Sequence, residues 1–357
     1  SIPKLRKEKV CMNINKRLIP LLSILFVLLA VSINSSCSHK NESDVKNVVK
    51  TELDQLKNLD SETTQKYIPY TELFPDATEN TDLSDEITET FSLFFRKFDY
   101  KISDVSISAE NNSATVSVKL TTINSQILAR DFKTELLQTQ ITEAAQAQTG
   151  STKDSSRSLE AHYLILNHLL NTNEYDTAET NCSIQLVNTG NNKKEKWKIQ
   201  RTNSLEDDLV GGLIADLADP DILSPEDTLT VYLDTLEKLD LKEMSSYLGV
   251  VNIMNTSDSS KNSIAAALAE QIHKNFRYVI KSSSENGYNA TVTTQITTFD
   301  SDSILSEYQS ELDKYLISAN AVIDGSQKRY EKSLEILLDC ISKNTAVTVN
   351  DVAFVFI

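Results

Sequence analysis

The chain is short of the residues that most ligand-handling loops need. It has 7 glycines and 6 prolines in 357 residues, which excludes collagen-like, Gly/Ser-linker and Pro-rich architectures. The only close glycine pair is Gly211-Gly212, and neither GxGxxG nor GxxxxGK[ST] occurs, so a glycine-rich phosphate cradle is not expected. Histidine is scarce, at four residues. His39 stands near the start, while His162, His168 and His273 fall singly in helical patterns without HExxH or CxxC. A zinc site needs three or four ligands at suitable spacing, so no metal and no cofactor is expected. Basic residues are outnumbered 35 to 51 by acidic ones, a net charge of −16. Such a chain lacks the basic stripe that displaces counterions from phosphates, and no nucleic-acid partner is expected.

Catalytic signatures are missing too. There is no GxSxG and no Cys–His pairing pattern. Gly150-Ser151 with Lys153 recurs as Gly325-Ser326 with Lys328, but Gly followed by Ser is also the way one helix ends and the next begins. Acidic runs such as Glu206-Asp207-Asp208, Asp219/Asp221 and Asp300/Asp302 read as solvated acids at helix starts. No catalytic residue is assigned, and a non-enzymatic role is the leading expectation. The best pocket candidates are aromatics with a polar tip: Tyr67, Tyr100, Trp197, Tyr247 and Tyr278.

What is present is concentrated at the start. Met12 is the plausible initiator; Lys16-Arg17 precedes a 16-residue apolar run from Leu18 to Ile33, and Asn34-Ser35-Ser36-Cys37 follows. Basic, apolar, small, cysteine is the order of an exported bacterial lipoprotein, and the run is short for a membrane-spanning helix, which needs about 20 residues. Ser35-Ser36 suits signal peptidase II, although Asn34 stands where an aliphatic residue is usual. Cys37 is the expected lipid-attachment residue, making the membrane a partner through two or more acyl chains. An uncleaved signal anchor and ordinary secretion are the alternatives. From Cys37 onward the chain carries 29 basic and 50 acidic residues, net −21, so the anchor rather than the body should hold it to anionic lipid. Cys182 and Cys340 stand alone; two buried thiols or one mutual disulfide both fit.

The remaining chain repeats itself. Leu53, Leu56, Leu59-Asp60 and Tyr67-Ile68 match Leu233, Leu236, Leu239-Asp240 and Tyr247-Leu248 at a shift of 180. Phe98 and Tyr100 match Phe276 and Tyr278 at 178. Ala114-Thr-Val116 and Glu135-Leu136 match Ala290-Thr-Val292 and Glu311-Leu312 at 176, and Gly150-Ser151 matches Gly325-Ser326 at 175. A period this long means tandem domains rather than a solenoid. The expected layout is residues 1–36 upstream sequence and signal peptide, 37–43 a polar tether, 44–218 a first repeat, 219–224 a linker and 225–357 a second. In each, helical periodicity gives way to period-two runs such as Ala114–Leu120. The expected class is α+β, with helices packed on a curved antiparallel sheet. Copy one should close with a hairpin through Trp197 and a helix near 205–217; counterparts of 190–217 are absent from copy two, which reads as truncated at its C-terminus.

This layout resembles the nuclear transport factor 2-like (cystatin-like) domains found in many Gram-positive lipoproteins of unknown function. The resemblance rests on Leu59-Asp60 with Tyr67-Ile68, Leu239-Asp240 with Tyr247-Leu248, and Lys196-Trp197-Lys198-Ile199. It implies a pocket between sheet and helices, and no particular activity. A small ligand, a wall component or an envelope protein is the expected partner. An acid/base enzyme working in one domain pocket and a structural spacer in an envelope assembly are the alternatives.

Overall fold

Period-two burial organises the molecule, and it does so twice. The computed structural model describes residues 38–59, 64, 66–68, 70–78, 84–108, 110, 112–147, 156–190, 196–249, 258–287 and 289–357. Cys37 lies outside them, as do Gly150, Ser151 and Lys153. Helix α1 (Ser38–Lys57) opens the described chain, so residues 38–43, expected as tether, are helical. Its Val45, Val49, Leu53 and Leu56 fall on one face and are buried. A 3₁₀ turn (Tyr70–Leu73) and α2 (Ser84–Phe95) follow. Then come β1 (Asp99–Ser108), β2 (Ser113–Ile123), α3 (Ser125–Ala147) and α4 (Leu159–Thr172). Strands β3 (Thr177–Asn188) and β4 (Trp197–Ile199) and helices α5 (Asn203–Leu209) and α6 (Leu213–Ala218) end the first half.

The first sheet has the order β1-β2-β3-β4, antiparallel throughout. Alternation along β2 turns Ala114, Val116, Val118 and Leu120 inward, opposite Leu186, Ile184, Cys182 and Thr180 of β3. They pack into one core with the α1 face, with Phe91, Phe94 and Phe95 of α2, and with Leu166 of α4. Each buried Leu or Phe contributes about 1.5–3 kcal/mol. The single helix expected over 205–217 is two helices, because Gly211 and Gly212 take φ of +67° and +89°. A Cβ at Gly211 would also lie 2.2 Å from Thr122 Oγ1, so only glycine lets this turn lie on β2.

The second half begins where Ser224 caps α7 (Pro225–Lys238), as the Ser-Pro-Glu-Asp signal predicts. Asp240 and Glu243 form a reciprocal capping box on α8 (Leu241–Tyr247). Next are α9 (Ser259–Asn275), β5 (Arg277–Asn286) and β6 (Asn289–Phe299). Helices α10 (Ser301–Leu316), α11 (Ala319–Ile323) and α12 (Ser326–Lys343) lead to β7 (Val347–Phe356). The second sheet runs β5-β6-β7. Its β7 is an edge, with Val347, Val349, Val352 and Val355 exposed, whereas β3 is flanked by β4 and packed on by α5. The core under α7 joins Leu229, Leu233, Leu236, Leu239, Met244 and Val292 to Ile141 and Ala145. The last two belong to α3, so the expected boundary at 219–224 separates the sheets but not the packing. Cys182 and Cys340 are both buried and both free.

The halves resemble each other most closely at the first hairpin. Each first hairpin shifts register at the same place, between Ile102 and Asp104 and between Ile280 and Ser282. Tyr100 donates its hydroxyl to Asp54 at 2.5 Å, and Tyr278 donates to Asp234. Each pair ties a β-hairpin to the first helix of its half, and Asp54 and Asp234 stand 180 residues apart. Hydrogen bonding from Lys50 and then from Tyr100 holds the Asp54 carboxyl below the usual carboxylate range. Tyr100→Phe and Tyr278→Phe should each cost about 1 kcal/mol, read from urea unfolding midpoints. The double variant should lose the sum, since the pairs sit in different halves.

Candidate functional site

The five aromatic candidates are distributed over the two cores. Tyr67 is buried in the first, with Lys66 Nζ 4.7 Å above its ring and that ammonium 3.0 Å from Glu52. Burial first, then the nearby Glu52 carboxylate, pushes the Tyr67 phenol pKa up. Trp197 is buried in the same core and Tyr100 packs against it. Tyr247 and Tyr278 pack against the second core, where Tyr247 meets Tyr232 at 6.2 Å between ring centroids. The structure thus groups them as three and two, each group helping to fill the space between its own sheet and helices.

Two recesses lie elsewhere, and none of the five lines either. A hollow of about 50 Å³ between Leu93, Ile123, Leu170 and Tyr175 is rimmed by Arg96 and Lys97, and Lys97 Nζ donates to the Tyr175 carbonyl at 2.7 Å. It has room for one or two waters. The larger recess, about 210 Å³, lies where the halves meet. Gln138 and Thr142 of α3 face Thr235, Lys238 and Leu239 on α7 and its C-cap, and Glu243 of α8. Its ends are pinned: Arg130 Nη2 reaches Asp227 at 2.9 Å, and Gln146 Nε2 donates to Glu243 at 2.9 Å. The threonine hydroxyls donate to their own helices, Thr142 to the Gln138 carbonyl at 2.9 Å and Thr235 to the Val231 carbonyl at 2.6 Å. An ammonium, a carboxylate, an amide and two hydroxyls in a crevice of this size suit a small polar solute.

The chemistry that sequence reading missed is in the first half. Glu206, placed with the solvated acids, is 3% exposed. Arg201 bridges it to the 3₁₀ turn: Arg201 Nε donates to Glu206 and Nη2 to Glu72 at 2.9 Å. Burial opposes ionisation of Glu206, but hydrogen bonds from Glu72 and Arg201 outweigh it and its pKa falls below the usual value. The hydrogen bond with Glu206, then burial, raises that of Glu72 despite Arg201. The pair therefore divides its protons, Glu206 ionised and Glu72 the first to accept one. A signal was available: Glu206 lies three residues before Leu209 and next to Leu205 on a short helix, and both leucines are buried. With Thr180–Leu186 aligned on Thr348–Phe354, positions 201 and 206 have no counterpart within residues 225–357.

Elsewhere in the first half burial is the main influence, and it raises the carboxyl pKa of Glu135 and Asp208. Burial and Asp208 push the Cys182 thiol up to about 12, so it is no nucleophile near neutral pH. His162 sits against Phe74, 4.8 Å between centroids, with Nδ1 2.7 Å from the Ser158 carbonyl, and burial lowers its pKa. His273 Nε2 lies 3.0 Å from the Leu239 carbonyl. Among the described residues no group of three His, Cys, Asp or Glu side chains is placed to hold a metal ion.

Glu206→Gln should lower stability at pH 7 by about 2 kcal/mol, because it leaves Arg201 without its buried partner. A depressed carboxylate pKa contributes stability that is present above the unfolded value and lost as pH falls through the folded one. The gap between wild type and variant, measured as urea midpoints, should therefore shrink as pH falls below about 4.

No protein-family model matches the sequence, and no curated protein matches it. Among solved structures, one similar chain is the Bacillus subtilis protein ycdA, whose crystal structure is described as that of a "putative lipoprotein". It is 11% identical over 72% of this chain and 88% of that one, with a TM-score of 0.22.

Proposed function

We propose that this chain is an exported bacterial lipoprotein, held at the outer face of the cell membrane by diacylglycerol on Cys37. Its two α+β units, copies of one nuclear transport factor 2-like ancestor, serve a non-enzymatic binding or interaction role. The observation that carries this reading is the order Lys16-Arg17, Leu18–Ile33, Ser35-Ser36-Cys37 at the start of an otherwise acidic chain. Among the described residues no helix is long and apolar enough to cross a membrane, which is consistent with attachment through a lipid. The matched bulges and Tyr–Asp pairs support the duplication. The polar crevice between the halves fits a small ligand better than a reaction centre, and a wall component or envelope protein is the alternative partner.

One observation favours a second reading, an acid/base enzyme: Glu72 and Glu206 meet across Arg201 with their pKa values pushed in opposite directions. Turnover of a panel of ester, glycoside and phosphate substrates by wild type but not by Glu206→Gln would favour that enzyme. No turnover by wild type would leave the pair a structural clamp.

The lipoprotein reading is tested by globomycin treatment followed by mass spectrometry of the N-terminal peptide. The expected result is a mature chain beginning at acylated Cys37 that gives way to an uncleaved precursor under the inhibitor. An unmodified Cys37 in untreated cells refutes it.

A further inference from the structure

Each sheet has two edge strands, and every edge but one is blunted. An exposed edge is a template for another strand, and proteins guard against this with bulges, charges or brevity. In the first sheet β1 carries an extra residue at Ser103, where its register shifts, and β4 is only three residues long. In the second sheet β5 carries its extra residue at Lys281. Strand β7 has none of these devices. It pairs with β6 in unbroken register from Val347 opposite Phe299 to Phe356 opposite Ala290, and its one charged residue is Asp351. Asp300 N donates to the Ala346 carbonyl at 3.0 Å. Alternation then turns the backbone N–H and C=O of Val347, Val349, Asp351, Ala353 and Val355 away from β6. Among the described residues no strand takes up those groups.

The first half shows what a guarded version of this strand looks like. Thr121 faces Glu179, and its equivalent Thr297 faces Val349, a correspondence two residues away from the sequence alignment of β3 with β7. On this register Thr177, Glu179, Asn181, Ser183 and Gln185 of β3 become Val347, Val349, Asp351, Ala353 and Val355 of β7. A wholly polar stripe has become apolar except at Asp351. Val347, Val349 and Val355 are 49%, 51% and 62% exposed.

We infer that β7 pairs with β7 of a second copy of this chain, antiparallel about a two-fold axis at Val352, so that two three-stranded sheets become one. In that register Val349 lies opposite Val355 of the second copy, Val347 opposite Ile357, and Asp351 opposite Ala353. The cross-strand pairs are aliphatic around a single polar step, and no like charges face each other. The register uses the whole of 347–357. Two-fold pairing also closes the assembly: the combined sheet ends at β5 on both sides, an edge that is already bulged. A foreign strand would instead leave its own outer edge open. In a chain of net charge −16, this contact brings two acidic bodies together along a strand that carries one charge. The inference stands whether or not Cys37 carries a lipid and whether or not the crevice between the halves binds a solute.

The test is disulfide trapping with full-length chains, with wild type as the control for native cysteines. The two copies of position 352 would form a non-hydrogen-bonded antiparallel pair, whose Cα atoms lie about 4.5 Å apart, within reach of a disulfide. Val352→Cys alone should therefore give an oxidised dimer. Val349→Cys alone should not, because it faces position 355, but mixed with Val355→Cys it should. Ala353→Pro removes an outward N–H and leaves the β6 ladder intact, so it should abolish trapping through Val352→Cys. Without oxidant, Val349→Lys should weaken the dimer by about tenfold or more in sedimentation equilibrium. Circular dichroism confirms that each variant is folded. Absence of the Val352→Cys dimer overturns the inference, as does its persistence with Ala353→Pro. A monomer in which the amides of Val349, Asp351 and Ala353 exchange slowly with solvent also overturns it, and would give the edge to another segment of the same chain.

Discussion

The two halves are held as one body by a helix that serves two cores. Near its start α3 buries Leu128, Ala129 and Phe132 in the first core, and near its end Ile141 and Ala145 in the second. A helix that must be apolar toward different neighbours along its length cannot keep a single clean stripe, and α3 alternates short apolar and polar stretches. The cost of separating the halves is the exposure of Ile141, Ala145 and the leucines of α7, together with the loss of the Arg130–Asp227 and Gln146–Glu243 contacts. Relative motion is the default between domains joined by a small polar interface. Here the interface is part of a core, so unfolding the second half should loosen the end of α3.

Much of the architecture was readable because it follows from periodicity. Alternating Ala114, Val116, Val118 and Leu120 became the central strand, and Ser224-Pro225 became a capped helix start. The drifting offset matched Tyr100 with Tyr278, and the structure joins Tyr100 to Asp54 and Tyr278 to Asp234. The rest was hidden because it depends on contacts distant in sequence. Glu206 looks like one more acid in a polar run until Arg201 and Glu72, 129 residues apart, meet beside it. The break at Gly211-Gly212 is set by how closely that turn approaches Thr122 of β2. Nothing local says that α3 ends in the other half's core. The aromatic residues were easily singled out, but a tyrosine facing a pocket and one completing a core have the same sequence signature.

Chemically the interior is quiet. The Cys182 and Cys340 thiols, the His162 imidazole and the Tyr163 phenol are shifted by burial toward their uncharged forms, which is the usual effect of a low-dielectric setting. The exception is the Arg201 cluster, where charge is retained inside because a guanidinium sits between two carboxylates. It fastens α5 to the 3₁₀ turn across the open end of the first sheet. In the second sheet the exposed valines are concentrated along β7.

The start of α1 bears on the anchorage proposed for Cys37. Helix begins at Ser38, leaving a single peptide link between Cys37 and a rod of 20 residues that is about 30 Å long. A flexible leash lets its cargo tumble and sample every orientation; a rod rooted at the proposed acylation site would behave as a mast. Tilt, height and the direction in which each sheet faces would then be inherited from the rigid fold, and any encounter with a neighbour would happen in two dimensions with its bearing already chosen.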